Sequence, residues 1–277
     1  MGEGEKGRLG DFDPVKLRVL VVNKKKNSQM IINNQLDESV KIFSTPYELA
    51  VKFAEQLVSM IIESANKKRP FTVALSGGST PELLFSALGE HFSKSAPWEY
   101  VHFFWGDERC VPPDNPESNY GMTRRELLEK IDIPSTNIHR IKGEADPEKE
   151  AARYSEEISD FTASRDGLPF LNLIILGLGE DGHTASIFPG HQELFNSDKI
   201  CDVAIQPVTL QKRITLTGRI INNADSVTFL VTGKKKADIV EKIINKNASA
   251  QNLPASYIVP VYGVLRWFID EEAGRLL

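Results

Sequence analysis

Cysteine is nearly absent. Cys110 and Cys201 are the two cysteines in 277 residues, far apart and in no C-x-x-C pair, which argues against a disulfide framework and for a reduced, cytoplasmic setting. A basic surplus is missing too: 33 Lys and Arg stand against 38 Asp and Glu, a net charge of -5. Nucleic acid is thereby disfavoured as a partner, and any anionic ligand needs positive charge gathered locally. No apolar run is long enough to span a bilayer, no signal peptide is read, and Lys6 stands where a myristoylation signal after Met1-Gly2 wants Ser or Thr. His91, His102, His139, His183 and His191 show neither H-x-x-x-H nor H-E-x-x-H spacing, so no metal site is expected. Internal repeats and low-complexity segments are lacking as well. What the chain has is 41% hydrophobic residues, ample for the core of one large α/β domain.

Residues 1–37 read as an N-terminal extension, either mobile or a short hairpin: glycines sit amid charges, Val15 to Val22 has strand character, and Lys24-Lys25-Lys26 lies in a polar turn. Residues 38–277 read as a single α/β domain. Val40 to Phe43 is an expected strand. Thr45, Pro46 and Glu48 supply the N-cap, N1 and capping-box positions of a helix whose Leu49, Phe53, Leu57 and Ile61 share one face. Phe71 to Leu75 is an apolar strand, Ser76 to Glu82 a glycine turn, and Leu83, Leu84, Ala87 and Leu88 the apolar positions of the next helix. Strand, glycine turn, helix is the βα unit of a parallel sheet.

Further strands are expected at Tyr100 to Trp105, from Leu171 up to Gly177, and at Ile200 to Ile205, Arg213 to Thr217, Val227 to Val231 and Leu265 to Ile269. Helices are expected around Leu127 to Ile131, after the cap Asp146 with Ala151, Tyr154, Ile158 and Phe161 buried, from about Lys235 to Ile244, and briefly at the C-terminus. The fold class that results is an open, mostly parallel, doubly wound (Rossmann-like) α/β sheet with helices on both faces. Ligands of such sheets bind beyond the carboxyl ends of the strands, so the loops there carry the chemistry.

Gly177, Gly179 and Gly182 form a tight turn that delivers Asp181 and His183. A histidine with an acidic neighbour is a candidate general base, because imidazole titrates near neutrality and needs an orienting partner. The same glycines match G-x-G-x-x-G, but Glu180 and Asp181 would face a pyrophosphate and Pro189-Gly190 cut short the helix that should follow. A plain glycine turn with a surface histidine is the bland alternative.

Ser76-Gly77-Gly78-Ser79-Thr80 is an anion cradle: two glycines admit a ligand to the backbone, and two hydroxyls and the amides of a helix N-terminus point at it. It lacks the Lys of a P-loop, favouring a monophosphate ester over a nucleoside triphosphate. Ser76 as the serine of a nucleophile elbow is disfavoured, because the helix cap is expected three or four residues beyond it. Gly106-Asp107-Glu108-Arg109 offers a carboxylate for sugar hydroxyls, Asp107 or Glu108, and a guanidinium for an oxyanion. Arg213 and Lys236 are further cations, while Lys234 and Lys235 read as solvated charges.

Leu75-Ser-Gly-Gly-Ser-Thr-Pro81, Trp105-Gly-Asp-Glu-Arg109 with Glu117-Ser-Asn-Tyr120, Gly177-Leu-Gly-Glu-Asp-Gly-His-Thr-Ala-Ser-Ile-Phe-Pro-Gly190 and Arg213-Ile-Thr-Leu-Thr217 together resemble the 6-phosphogluconolactonase family, over about Val40 to Leu277. The related glucosamine-6-phosphate deaminases share the cradle and the Asp-Gly-His turn, but Arg109 replaces their Tyr and Ser186-Ile187-Phe188 interrupts their Glu-bearing motif. A sugar-phosphate sensor on this fold would normally bring a helix-turn-helix, for which residues 1–37 are too short and glycine-rich.

The resemblance implies hydrolysis of 6-phospho-D-glucono-1,5-lactone to 6-phosphogluconate in the oxidative pentose phosphate pathway, without metal or organic cofactor. It implies His183 as general base, Asp181 as holder of its tautomer and Arg109 as the group polarising the carbonyl oxygen. Asp107 would bind sugar hydroxyls, and Gly77, Gly78, Ser79, Thr80, Arg213 and Lys236 the phosphate. The expected partner is a small sugar phosphate, with no nucleic acid and no membrane, on a cytoplasmic monomer or homodimer. Before Arg213 the chain departs from the family's several prolines, having only Pro207 ahead of Val208-Thr-Leu-Gln-Lys212.

Overall fold

A computed structural model describes residues 39–277. The expectation of a mobile extension or hairpin at residues 1–37 lies outside the described residues. In chain order the elements are β1 (Val40–Phe43), α1 (Pro46–Asn66), β2 (Phe71–Leu75), α2 (Ser79–His91), β3 (Val101–Trp105), β4 (Asp107–Arg109), α3 (Asn119–Thr123), α4 (Pro147–Phe161), β5 (Ala163–Arg165), β6 (Leu168–Phe170), β7 (Leu173–Leu176), β8 (Cys201–Ile205), β9 (Lys212–Leu216), α5 (Gly218–Ile221), β10 (Ser226–Val231), α6 (Ala237–Ile244) and β11 (Val264–Asp270).

β1-β11-β10-β7-β2-β3 form one sheet, every neighbouring pair parallel. Every residue of β2, β7 and β10 is buried, as apolar runs covered on both faces require. The chain steps from β1 over to β2 and on to β3 in one direction, then back through β7, β10 and β11 in the other. Right-handed crossovers in opposite directions put α1 and α2 on one face and α4 and α6 on the other. The direction reverses between adjacent strands β2 and β7, and a crevice opens at their carboxyl ends.

α1 starts as its sequence requires: Thr45 Oγ1 accepts the Glu48 N–H at 3.1 Å, and Glu48 in turn accepts the Ser44 N–H at 2.9 Å, one residue before the expected box partner. Leu49, Phe53, Leu57 and Ile61 are fully buried. Asp146 caps α4 through the Lys149 N–H at 3.1 Å.

Two expectations are corrected. Phe161 is 46% exposed, because α4 ends there and its ring lies over His139, 4.4 Å away, at the surface. After β11 the chain turns rather than coiling into a helix: Gly274 N–H returns to the Asp270 carbonyl at 2.9 Å and Leu277 N–H to that of Gly274 at 3.0 Å.

A second sheet, β4-β9-β8, is antiparallel. β3 passes into it through Gly106, whose N–H bonds the Leu75 carbonyl while its carbonyl accepts the Leu216 N–H, both at 2.8 Å. This joint sets Arg109 directly opposite Arg213. The β8–β9 loop is closed by Gln206, whose side-chain oxygen accepts the amides of Val208 at 2.7 Å and Thr209 at 2.5 Å.

Candidate active site

The cradle after β2 depends on its glycines for separate reasons. At Gly77 an added Cβ would lie 1.8 Å from Asn119 Oδ1, and Gly78 holds φ +107 as N-cap of α2, a region open to glycine at little cost. The cap is thus two residues beyond Ser76, not three or four, and no side chain caps it. Ser79 and Thr80 leave first-turn amides free for a ligand. Pro81 has none to offer. The Thr80 hydroxyl turns to Thr232 Oγ1 at 2.7 Å, so Thr80 presents its amide rather than a free hydroxyl.

Strand alternation sends the two carboxylates of β4 to opposite sides, and the position of α3 decides which of them is spent. Glu108, 1% exposed, accepts the amides of Arg109, Asn119 and Tyr120 at 2.7–2.8 Å and the Ser118 hydroxyl at 3.0 Å. It is consumed in capping α3. Burial raises its pKa, opposed by those backbone bonds and assisted by the charge of Asp107. Asp107 lines the cleft instead, with Oδ2 accepting the Ser186 hydroxyl at 2.6 Å and Oδ1 3.4 Å from Asn119 Nδ2.

Arg109 and Arg213 meet across β4 and β9. Arg109 Nη1 donates to the Glu117 carbonyl at 2.6 Å, and the Arg213 guanidinium lies 5.5 Å from the Phe188 ring. The Nε atoms of both are buried without a hydrogen-bond partner among the described residues, a cost that an anionic ligand would relieve. Burial and then the neighbouring Arg109 charge lower the pKa of Arg213, against the pull of Asp107. Two cations held side by side make this wall of the cleft favourable to anionic groups.

The turn after β7 closes through Gly179 N–H to the His183 carbonyl at 2.8 Å and Gly182 N–H to the Gly179 carbonyl at 3.1 Å. At Gly179 a Cβ would come 2.0 Å from His183 Nδ1, so only glycine leaves room for the ring. His183 Nδ1 lies 2.5 Å from Asp181 Oδ1. An ionised carboxylate only accepts, so Nδ1 carries the proton and Nε2 is left as a base. Burial acts to raise the Asp181 pKa, but the hydrogen bond and charge of His183 win and hold it below the usual carboxylate range. The His183 ring packs 4.8 Å from Phe188, and Ala185, also lining the cleft, takes φ +48.

Lys236 enters from the turn after β10, and burial lowers its pKa against the charges of Glu180 and Asp181. Lys235 is exposed, 3.8 Å from Glu180, as a solvated charge should be.

His183, Arg109, Asp107, Arg213, Lys236 and the Gly77–Thr80 cradle thus line one cleft of about 250 Å³, with Asp181 behind His183. Ser76 also lines it, but shares no hydrogen bond with His183 among the described residues. Sequence reasoning assigned no role to Asn119, Ser186 or Thr232. Asn119 and Ser186 sat inside recognised motifs, whereas a lone Thr after an apolar strand gave no signal.

Residues 44–267 match the family described as Glucosamine-6-phosphate isomerases/6-phosphogluconolactonase. The 6-phosphogluconolactonase of Haemophilus influenzae is 42% identical over 85% of this chain and 98% of its own. That of Synechocystis sp. is 43% identical over 74% of this chain and 84% of its own. The solved 6-phosphogluconolactonase of Trypanosoma brucei superposes with a TM-score of 0.79 at 29% identity, covering 88% of this chain and 100% of its own.

Proposed function

The chain belongs to the glucosamine-6-phosphate isomerase/6-phosphogluconolactonase family, and from that premise we propose how its residues hydrolyse 6-phospho-D-glucono-1,5-lactone to 6-phospho-D-gluconate. The reaction is the lactone-opening step of the oxidative pentose phosphate pathway. A δ-lactone is an activated ester, so one general base and one oxyanion partner suffice.

The observation that carries the assignment is the 2.5 Å contact between His183 Nδ1 and Asp181, on a ring that borders a cleft with cationic walls. His183 Nε2 takes a proton from the water that attacks C1. Arg109 receives the oxyanion that forms as the C=O bond gives up its electron pair. The oxyanion collapses, the bond from C1 to the ring oxygen breaks, and the imidazolium returns its proton to that oxygen. Water is consumed, and the new carboxylic acid ionises at neutral pH.

Asp107, its Oδ2 held by Ser186, offers its other oxygen to a sugar hydroxyl. The amides at Gly78, Ser79 and Thr80, with Gly77 giving the backbone close approach, meet the phosphate together with Arg213 and Lys236. No covalent serine, metal or organic cofactor enters these steps. We further place the chain in the cytoplasm as a monomer or homodimer without a nucleic-acid partner, in keeping with two unpaired cysteines and a net charge of -5.

Acid release from freshly generated 6-phosphogluconolactone, after subtraction of spontaneous opening, tests the reading against the unphosphorylated lactone. Acceleration confined to the phosphorylated lactone is expected. Equal acceleration of both would remove the anion site from the mechanism, and ammonia release from glucosamine 6-phosphate would replace the lactonase reading with a deaminase.

A further inference from the structure

Lys236 reaches the cleft from a turn, not from the interior of a strand or helix. Gly233 opens that turn with φ +94, and the Lys236 N–H closes it on the Gly233 carbonyl at 3.0 Å. So short a turn fixes a side chain only if its backbone is tied to rigid elements. Thr232 supplies one tie through its 2.7 Å contact with Thr80 on α2. α6, which begins at Ala237 directly after Lys236, holds the far end, and the Gly233 end is held by Asp270, the last residue of β11 and 2% exposed. Its carboxylate accepts the Gly233 N–H with both oxygens, at 3.0 and 3.1 Å, and the Ala273 N–H at 2.8 Å.

The ladder explains why a side chain is needed there. β10 and β11 pair in register as far as Val231 opposite Ile269, and the Asp270 backbone then serves β1 and the closing turn, with Phe43 opposite and Gly274 bonded to its carbonyl. Gly233 swings out of the sheet in a left-handed conformation, so its amide is met by the Asp270 carboxylate. A hydrogen bond to an ionised acceptor is roughly twice as strong as a neutral one. The Gly233 turn is therefore held more firmly than an ordinary loop.

We propose that Asp270 is a positioning residue for substrate binding: by clamping the Gly233 amide it holds the turn that carries Lys236 to the phosphate end of the cleft. The inference rests on the reading of Lys236 as a phosphate ligand. Asp270 touches neither substrate nor reacting atoms in this account, so its effect falls on binding and spares the chemical step.

Steady-state kinetics on the phosphorylated lactone, with inorganic phosphate as competitive inhibitor, test it in Asp270→Ala, Asp270→Asn, Gly233→Ala and Lys236→Ala. Asp270→Ala and Gly233→Ala should raise KM and the phosphate inhibition constant roughly five- to tenfold, the net scale of one ordinary hydrogen bond, because the lost clamp acts on the phosphate only through Lys236. In both, kcat should stay within about twofold, as for a loss of uniform binding. Asp270→Asn keeps one acceptor oxygen but loses the charge and sets an amide N–H toward the Gly233 N–H, so it should recover only part of the affinity.

A merely structural role would lower kcat or the active fraction and leave KM alone. Gly233→Ala carries the test if Asp270→Ala folds poorly, because the added Cβ meets no described heavy atom within 4 Å and only the left-handed turn resists it. An unchanged KM in whichever of the two folds overturns the clamp. Lys236→Ala separates the layers. If it leaves KM unchanged, the phosphate reading of Lys236 fails; if it raises KM while the Asp270 and Gly233 variants do not, only the clamp fails.

Discussion

At the scale of single residues, the site turns on one proton. Asp181 fixes it on Nδ1 of His183, and Gly179 makes the room in which that pair forms. His183→Ala should lower kcat by at least about 10²-fold, the usual contribution of a general base, while the affinity for 6-phosphogluconate survives. Unchanged turnover would take His183 out of the mechanism. Gly179→Ala tests the room instead of the group. Its Cβ would stand 2.0 Å from Nδ1 and 2.4 Å from Asp181 Oδ1, so the ring must rotate and kcat should fall by about 10²-fold, the scale of a misplacement near 1 Å. A melting temperature close to that of the parent would separate this from misfolding. A Gly179→Ala enzyme of full activity would show that the pairing is dispensable.

At the scale of elements, a short helix and a three-residue strand decide where Arg109 stands. Glu108 accepts four donors from Ser118, Asn119, Tyr120 and the Arg109 amide, so β4 and α3 are one unit. Glu108→Gln turns one acceptor into a donor facing donors, and should destabilise the fold by about 3 kcal/mol, as breaking a buried charged network does. Chemical denaturation reads that loss. Arg109 should lose its alignment as well, lowering kcat in the fraction that remains folded.

Much of this scale was legible beforehand. β2, β7 and β10 are largely apolar runs bounded by breakers, α1 and α4 carry caps and a 3.6-residue apolar period, and the loops at the strand ends hold the candidate residues. β4, β5 and β6, three residues each, were not, because so short a run has no period to read. The facing of Arg109 and Arg213 depends on β4 pairing with a strand a hundred residues later in the chain, which local pattern does not encode. Alternation along β4 requires that Asp107 and Glu108 face opposite ways, yet only the position of α3 decides which carboxylate is spent on a helix. Asp270 begins the expected terminal helix as an N-cap would, its carboxylate accepting the Ala273 N–H and its carbonyl the Gly274 N–H, but the chain reaches Gly274 at the end of that one turn and does not continue the coil.

At the scale of the whole molecule, the cleft joins parts that would otherwise open separately. Its cations come from β9, from the β4 joint and from the turn after β10, while its base comes from the turn after β7. A ligand that bridges them stabilises the assembled state by RT ln(1 + [L]/Kd), about 2.7 kcal/mol at 100 Kd. Cys201 reports on that state from within. It is 2% exposed on β8, directly beside β9, its N–H bonds the Ser155 hydroxyl at 3.1 Å, and burial pushes its thiol up to about 12. The thiolate is the reactive form, so labelling at neutral pH needs an opening that exposes the sulfur. In a Cys110→Ser background, labelling of Cys201 should be slow in the free protein. Saturation with 6-phosphogluconate at 100 Kd should slow it about 100-fold further, because only the opened state reacts and the ligand depletes that state in proportion. At the same ligand concentration the slowing should shrink in Arg213→Ala in proportion to its lost affinity, because a cation is removed from the strand paired with β8. Labelling that ignores the ligand would mean that β8 opens without disturbing the cleft, and the coupling between the antiparallel sheet and the site would be lost.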